Sequence, residues 1–388
     1  MIPSPSEGLL GISALLTPGE RAWQQKAREF AATRIAPTID DDYERQLFRR
    51  ELVPELGALG MLGMHLSGHG CAGAGAVSYG VVCHELEAAD SAWRTFVSVQ
   101  GSLAMTAISK FGSDEQKTQW LPRMAAGEAI GCFALSEPHG GSDPAAMATS
   151  ATLVHGEWVL RGRKRWIGLA SVADVAVVWA STDDGIRGFL VPTDSPGFTA
   201  TNIGNKLSMR ASIQCDVELR DVRLPASAML PRAAGLSSPF SCLAEARYGI
   251  VWGSMGAARA SLDAAIEYSR TRTVFGTPVG AKQLTQQKLA DGFVEYEKGM
   301  LLALHLGRLA DAGSLTPEQV SVGKLNNVRE AIAIVSSVRS ILAGDGITSD
   351  YPVMRHAANL EAVRTYEGTD EVHTLVIGRA LTGFAAFR

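Results

Sequence analysis

Apolar residues recur at helical spacing over the first third of the chain, alternate with polar ones through a central stretch, and return to helical spacing beyond it. Thr17-Pro18-Gly19-Glu20 has the form of a capping box with proline at the first helical position, and periodicity follows towards Ile35. A second helix is expected from about Arg50 to Leu62, and a third, after the glycine-rich stretch 68–75, ending near Ala89. Asp90 or Ser91 can cap a fourth, and Ser113-Asp114-Glu115-Gln116 offers another capping box. The pattern changes near Gly131. A turn at His155-Gly156-Glu157 is predicted inside a strand pair over 152–160, with further strands over 174–182, 188–192 and 215–224. These suit an antiparallel barrel or sandwich of roughly 100 residues. From about Pro239 helices return, and Thr316-Pro317-Glu318 opens a long one that Gly344 is expected to close. The expectation is a mainly α protein with a central β domain, divided at 1–130, 131–236 and 237–388.

The chain has 388 residues, enough for two or three packed units, and its 46% hydrophobic and 20% charged content excludes wholesale disorder. Lys and Arg total 36 against 40 Asp and Glu, so no strong basic field exists to attract nucleic acid. Five cysteines, an odd number with no C-x-x-C pair, read as reduced core thiols. The opening Met-Ile-Pro-Ser-Pro-Ser-Glu lacks a signal peptide's cationic region, and the apolar run 8–16 is too short to span a bilayer. A soluble, cytoplasmic protein without membrane attachment is expected.

Gly68-His69-Gly70-Cys71-Ala72-Gly73 matches G-x-G-x-x-G, but a dinucleotide site needs a strand before it, and the preceding segment reads as helix. An interhelical loop is the better reading. Metal-hydrolase, serine-hydrolase and P-loop signatures are missing from the sequence.

The segment Cys132 to Asp143 is a β-like run turning into a Gly/Ser/Pro loop where helices give way to strands. It is either a cofactor clasp or an ordinary interdomain turn. Trp166, after the basic strand 161–165, can wall an aromatic cofactor or simply fill a core. Arg272 in Arg-Thr-Val-Phe-Gly is a phosphate ligand or a solvated helix end. Arg94 and Ser98 stand four apart on a helix whose face suits a carboxylate; the alternative is a solvated arginine, the usual reading, which apolar Trp93, Phe96, Val97 and Val99 weaken here. Glu367, beside Gly368, is a turn residue or, if desolvated, a general base.

Taken together these segments resemble the acyl-CoA dehydrogenase family, most closely its glutaryl-CoA dehydrogenase branch, from about Leu16 to Phe387. The likeness is strongest over 131–144, 246–276, 283–291 and 356–387. It implies a helical domain, a β-barrel or sandwich domain and a C-terminal four-helix bundle, assembled as a homotetramer with one FAD per subunit. On the same resemblance, Phe133, Ala134, Leu135, Ser136, Gly141 and Ser142 belong to the strand and loop that hold the flavin ring. Trp166 lies against that ring, with Gly168 two residues on and Thr369 as a further contact. Arg272, Phe275 and Gln283 bind the ADP half of a neighbour's FAD, near which Ala343 and Gly344 form a loop. Ser142, Arg247 and Gly368 line the acyl-thioester channel. Glu367 matches the base, and Arg94, Ser98, Glu87 and Tyr366 match a pocket for a terminal carboxylate.

The implied reaction is removal of an α-proton by Glu367, with the thioester oxygen polarised, and hydride transfer from the β-carbon to flavin N5. Electrons would pass to an electron-transfer flavoprotein or to oxygen. The sequence departs from the family where Trp166-Ile167-Gly168 replaces Trp-Ile-Thr, Ser136 a threonine, Glu245 an asparagine and Ala343 a glycine. These changes surround flavin and channel. They leave open a relative that dehydrogenates or oxidises an acyl chain carried on a protein.

Overall fold

The computed structural model describes residues 9–387; the opening heptapeptide lies outside the described residues. Thr17 accepts from the Glu20 amide while the Glu20 carboxylate accepts from the Thr17 amide, so α1 (Pro18–Phe30) starts where the capping box sets it. A π-helical turn continues it to Ile35. Next come α2 (Ile39–Arg45) and α3 (Val53–Ala58). The helix expected over 50–62 is shorter than its periodicity suggests, because the chain turns at Gly60, where φ is +75°.

The G-x-G-x-x-G segment is a tight hairpin between two-residue strands, β1 (Ser67–Gly68) and β2 (Cys71–Ala72), with His69 and Gly70 left-handed at its tip. It opens no nucleotide site. Behind it α4 (Ala76–Ala89) is buried at every residue from Val77 to Glu87. Asp90 caps α5 (Ser91–Val97) by accepting from the Ala92 amide, 2.8 Å. A π-helical segment, Ser98–Met105, joins it to α6 (Thr106–Phe111), and Ser113 and Gln116 form the capping box of α7 (Asp114–Ala125).

The seven main strands are β3 (Gly131–Ala134), β4 (Ser150–Val154), β5 (Glu157–Gly168), β6 (Val175–Thr182), β7 (Gly185–Pro192), β8 (Phe198–Asn202) and β9 (Gln214–Pro225). They form one sheet in the order β3-β6-β4-β5-β9-β8, with β7 also on β6. The sheet is mixed rather than antiparallel throughout, since β3 and β4 both meet β6 in parallel. Chain reach accounts for this: the 130s strand arrives from the helical region, not through a hairpin. The expected turn sits at His155-Gly156, both left-handed.

The last third holds α8 (Ser237–Thr271), α9 (Gln283–Asp311) and α10 (Pro317–Arg339), followed by α11 (Val353–Thr365) and α12 (Asp370–Thr382). A small ribbon, β10 (Thr273–Val274) and β11 (Thr277–Pro278), separates α8 from α9. Gly344 does not close α10. A short 3-10 turn follows Arg339, and the left-handed position is Ala343, with φ +50°, while Gly344 is right-handed. Helix α8 lies against α4 so closely that a β-carbon at Gly256 would sit 2.0 Å from the His84 carbonyl oxygen. Among the described residues no helix is long and apolar enough to cross a membrane.

Candidate active site

The deepest polar cluster lies where α4, α5, α8, α10 and the 366–368 turn converge. Arg94 and Glu87 are both fully buried and joined Nε to Oε2 at 2.6 Å. Ser91 donates to the other Glu87 oxygen at 2.8 Å, so this carboxylate is satisfied twice. Arg94 also donates through Nη2 to the Tyr366 hydroxyl, which lies 3.3 Å from Thr95 Oγ1. Among the described residues, Arg94 Nη1 and Ser98 Oγ of this cluster are buried without a partner. A guanidinium nitrogen left bare in a dry interior is expensive, so these atoms mark where a polar ligand group would be received.

The pair fits because position 253 of α8 is glycine. A β-carbon there would lie 2.0 Å from Glu87 Oε2 and 3.1 Å from Arg94 Cγ.

Glu367 stands in the turn between α11 and α12 with φ +53°, a left-handed conformation costly for a side-chain-bearing residue. The residue is half-buried, yet its Oε2 is shut from solvent and unpartnered. Burial pushes its carboxyl above the usual range, against the pull of Arg94, Lys324 and Arg247. The turn's backbone is tied on three successive carbonyls. Arg247 Nε donates to Glu367 O at 2.7 Å, and Lys324 Nζ donates to both Tyr366 O and Gly368 O. Gly368, at φ +101°, presses on His373: a β-carbon would come within 2.8 Å of its Nε2.

A second group of candidate residues lies on the β side. Gln100 fixes the start of β3 by accepting from the Gly131 amide at 2.8 Å and donating to Ala129 O at 2.8 Å. Phe133, Ala134 and Leu135 are buried; Ser136 is half-buried, and Gly141 and Ser142 are exposed. The loop is held from beneath by Lys164, whose Nζ donates to Leu135 O at 3.0 Å and Glu137 Oε1 at 2.9 Å. Glu137 in turn accepts from the Ala148 and Thr149 amides, and these hydrogen bonds with Lys164 outweigh burial to draw its carboxyl down to about 2. Trp166 lies within an irregularity of the β5–β9 pairing, with φ +64°, and its indole is 55% exposed. A bulge is a device for re-aiming a side chain, and here it turns a large aromatic outwards.

The remaining candidates are spread over the surface. Arg272, Gln283, Ala343 and Gly344 are exposed, and Phe275, on the tip of the β10–β11 ribbon, is 98% exposed. Thr369 caps α12 by accepting from the Val372 amide. The structure therefore brings together Glu87, Arg94, Ser98, Arg247, Tyr366, Glu367 and Gly368, and leaves the 272–283 and 343–344 groups open. Sequence reasoning missed Lys324, Lys164, Glu137 and Gly253. A lysine in a long helix looks solvated, and a helical glycine looks like a weak point; neither has a signal of its own.

The residues fit FAD. A half-exposed indole, the Ser136 and Ser142 hydroxyls and an open Gly141 form an aromatic and hydroxyl-bearing face. A β-carbon at Gly168 would meet Val99 Cγ2 at 3.6 Å, an ordinary van der Waals contact, so this position does not itself require glycine for packing.

A helical–β–helical chain that carries both such a face and a desolvated carboxyl has the make-up of a flavin-dependent oxidoreductase. Comparison with known proteins agrees. The N-terminal, middle and C-terminal domain models of acyl-CoA dehydrogenase match residues 17–128, 132–222 and 233–382. The mitochondrial short-chain specific acyl-CoA dehydrogenase of Bos taurus is 35% identical over 364 residues, covering 91% of this chain and 88% of the bovine one. A crystal structure of glutaryl-CoA dehydrogenase from Mycobacterium smegmatis superposes with a TM-score of 0.97 at 60% identity, covering 99% of both chains. A second, in complex with FADH2, gives 0.98 at 58%, again over 99% of both chains. The chain belongs to the acyl-CoA dehydrogenase family and is an FAD-dependent oxidoreductase acting on a CH–CH bond.

Proposed function

We propose that the chain dehydrogenates a dicarboxylic acyl thioester of the glutaryl-CoA class between its α- and β-carbons, with Glu367 as base. The observation that carries this is the bare Nη1 of Arg94, fully buried in the cluster that also contains Glu367, with the equally buried and unpartnered Ser98 Oγ four residues further along the chain. Glu87 balances the charge of Arg94, but a neutral acyl chain would leave the Nη1 donor without an acceptor. A distal carboxylate would accept from Nη1 and from the serine, and Glu87, already satisfied, holds the guanidinium in orientation.

Glu367 would take the α-proton on its free Oε2. A carboxyl raised by burial is the stronger base once ionised, and the surrounding cations keep the ionised form accessible. FAD supplies the acceptor for the hydride that leaves the β-carbon. The 133–142 strand and loop, Trp166, Gly168 and Thr369 would orient it, and Ser142, Arg247 and Gly368 would line the thioester channel. Arg272, Phe275, Gln283, Ala343 and Gly344 would serve the ADP half of a neighbour's cofactor. The isolated chain exposes Phe275 almost completely, which supports a homotetramer in which a second copy covers it. The three units would fall at 1–130, 131–236 and 237–388, and electron-transfer flavoprotein is the acceptor this reading favours.

The test is an anaerobic screen of the FAD-loaded protein against glutaryl-CoA, a neutral acyl-CoA of equal length and the same acyl groups on a carrier protein, following flavin bleaching. Fastest bleaching by glutaryl-CoA supports the reading. A preference for a carrier-bound chain, or rapid reoxidation by oxygen, would favour a specialised dehydrogenase or oxidase, a reading motivated by the glycine at position 168.

A further inference from the structure

Lys324 lies in the middle of α10 with 1% of its surface exposed. Among the described residues no carboxylate comes within ion-pair distance of it. Its ammonium is held by the carbonyls of Tyr366 and Gly368, the residues on either side of Glu367. A packing role would be met by methionine, and a bridging role by glutamine, without the cost of an unmatched buried charge. The charge therefore needs a reason, and the acid it straddles provides one. Resting on the reading of Glu367 as base, we propose that Lys324 is a positioning residue for it. Its two hydrogen bonds hold the left-handed turn that aims the carboxyl, and its positive charge keeps that carboxyl ionisable in a dry pocket.

The groups that face Lys324 are consistent with this. Arg94 comes from α5, Arg247 from α8, Glu367 and the Tyr366 ring from the turn, and Asp370 and His373 from α12. Burial pushes the lysine down from its ordinary range, and Glu367 is the largest influence drawing it back up. Reciprocally, Lys324 is among the cations that draw Glu367 down. Arg247 binds the carbonyl of Glu367 itself, so the two cations clamp three consecutive peptide units.

The experiment uses FAD-loaded Lys324→Met and Lys324→Gln. The first removes bond and charge; the second keeps a donor and removes only the charge. Two readouts are taken: the pH profile of anaerobic flavin reduction by glutaryl-CoA, and the infrared titration of the carboxyl band that disappears in Glu367→Gln. Both variants should raise the Glu367 midpoint by about one pH unit or more, the scale of losing one nearby opposite charge. Lys324→Met should in addition lower the limiting rate below that of Lys324→Gln. An unshifted midpoint in Lys324→Gln overturns the proposal even if Lys324→Met fails to fold. Should wild type bleach with no thioester, the dehydrogenase reading fails, while the infrared titration still decides whether Lys324 holds Glu367.

Discussion

The two halves of the proposed site are built on opposite plans. Around Arg94 the charges are buried, and Arg94 Nη1, Ser98 Oγ and Glu367 Oε2 are left without hydrogen-bond partners. Around Arg272, Phe275, Gln283 and Gly344 the residues are exposed, and Phe275 presents a bare aromatic ring to solvent. On the proposed reading, the first half would recognise its ligand within one chain, and the second would need another surface against it. Substrate selection and cofactor retention should therefore respond differently to mutation, the former locally and the latter through assembly.

The largest effect is expected at Glu367. Replacing it with Gln should preserve FAD and thioester binding yet slow flavin reduction by about 10²–10⁴-fold, the scale of a positioned base. Its carboxyl is raised by burial, so the protonated, inactive form persists to higher pH than for an ordinary glutamate. The kcat/KM profile of wild type should accordingly rise with pH through a midpoint above 4.5. A flat profile would remove Glu367 from the mechanism.

At the carboxylate end, Gly253→Ala should force Glu87 and Arg94 apart, because the new β-carbon would overlap Glu87 Oε2. The preference for a dicarboxylic over a neutral thioester should fall by about tenfold, the price of one weakened charge-assisted bond. Unchanged selectivity would show that the pair is scaffolding. On the open half, Arg272→Glu should lower FAD occupancy and oligomer content together, read by absorbance and sedimentation; a fully flavinated monomer would contradict the comparison. The smallest effect belongs to Gly168→Thr. A β-carbon at this position makes only ordinary contact with Val99 and the Ile213 carbonyl, so the chain should still fold while reaction with oxygen slows or stays the same.

What the sequence revealed of each half follows from how each is made. Helix starts at Thr17 and Ser113 were legible because a capping box is local, and both boxes form; the start read at Thr316 is also there, with a box completed by Gln319. The β8 strand was not: Phe198-Thr-Ala-Thr-Asn has a burial pattern with one buried residue, too little alternation to register. Ala343 was missed as the left-handed residue because a neighbouring glycine was the more obvious candidate. Glu367 and Arg94 could be picked out from motifs, but not the relation between them. The contacts that build the surroundings of that relation are long-range: Lys324 meets Tyr366 across 42 positions, and Gly253 makes room for Glu87 across 166. The left-handed turns at Trp166 and Glu367 were equally hidden, since side-chain-bearing residues give no warning of positive φ.

The measurement that bears most directly on the account is the selectivity of Arg94→Met, determined by anaerobic stopped-flow reduction with glutaryl-CoA and with a neutral acyl-CoA of equal length. Loss of a charge-assisted hydrogen bond is worth about 1.5–3 kcal/mol. The apparent affinity for glutaryl-CoA should drop by roughly ten- to a hundredfold while the neutral thioester is spared. Equal losses for both thioesters, or none for either, would contradict the claim that the buried Arg94 Nη1 reads a distal carboxylate.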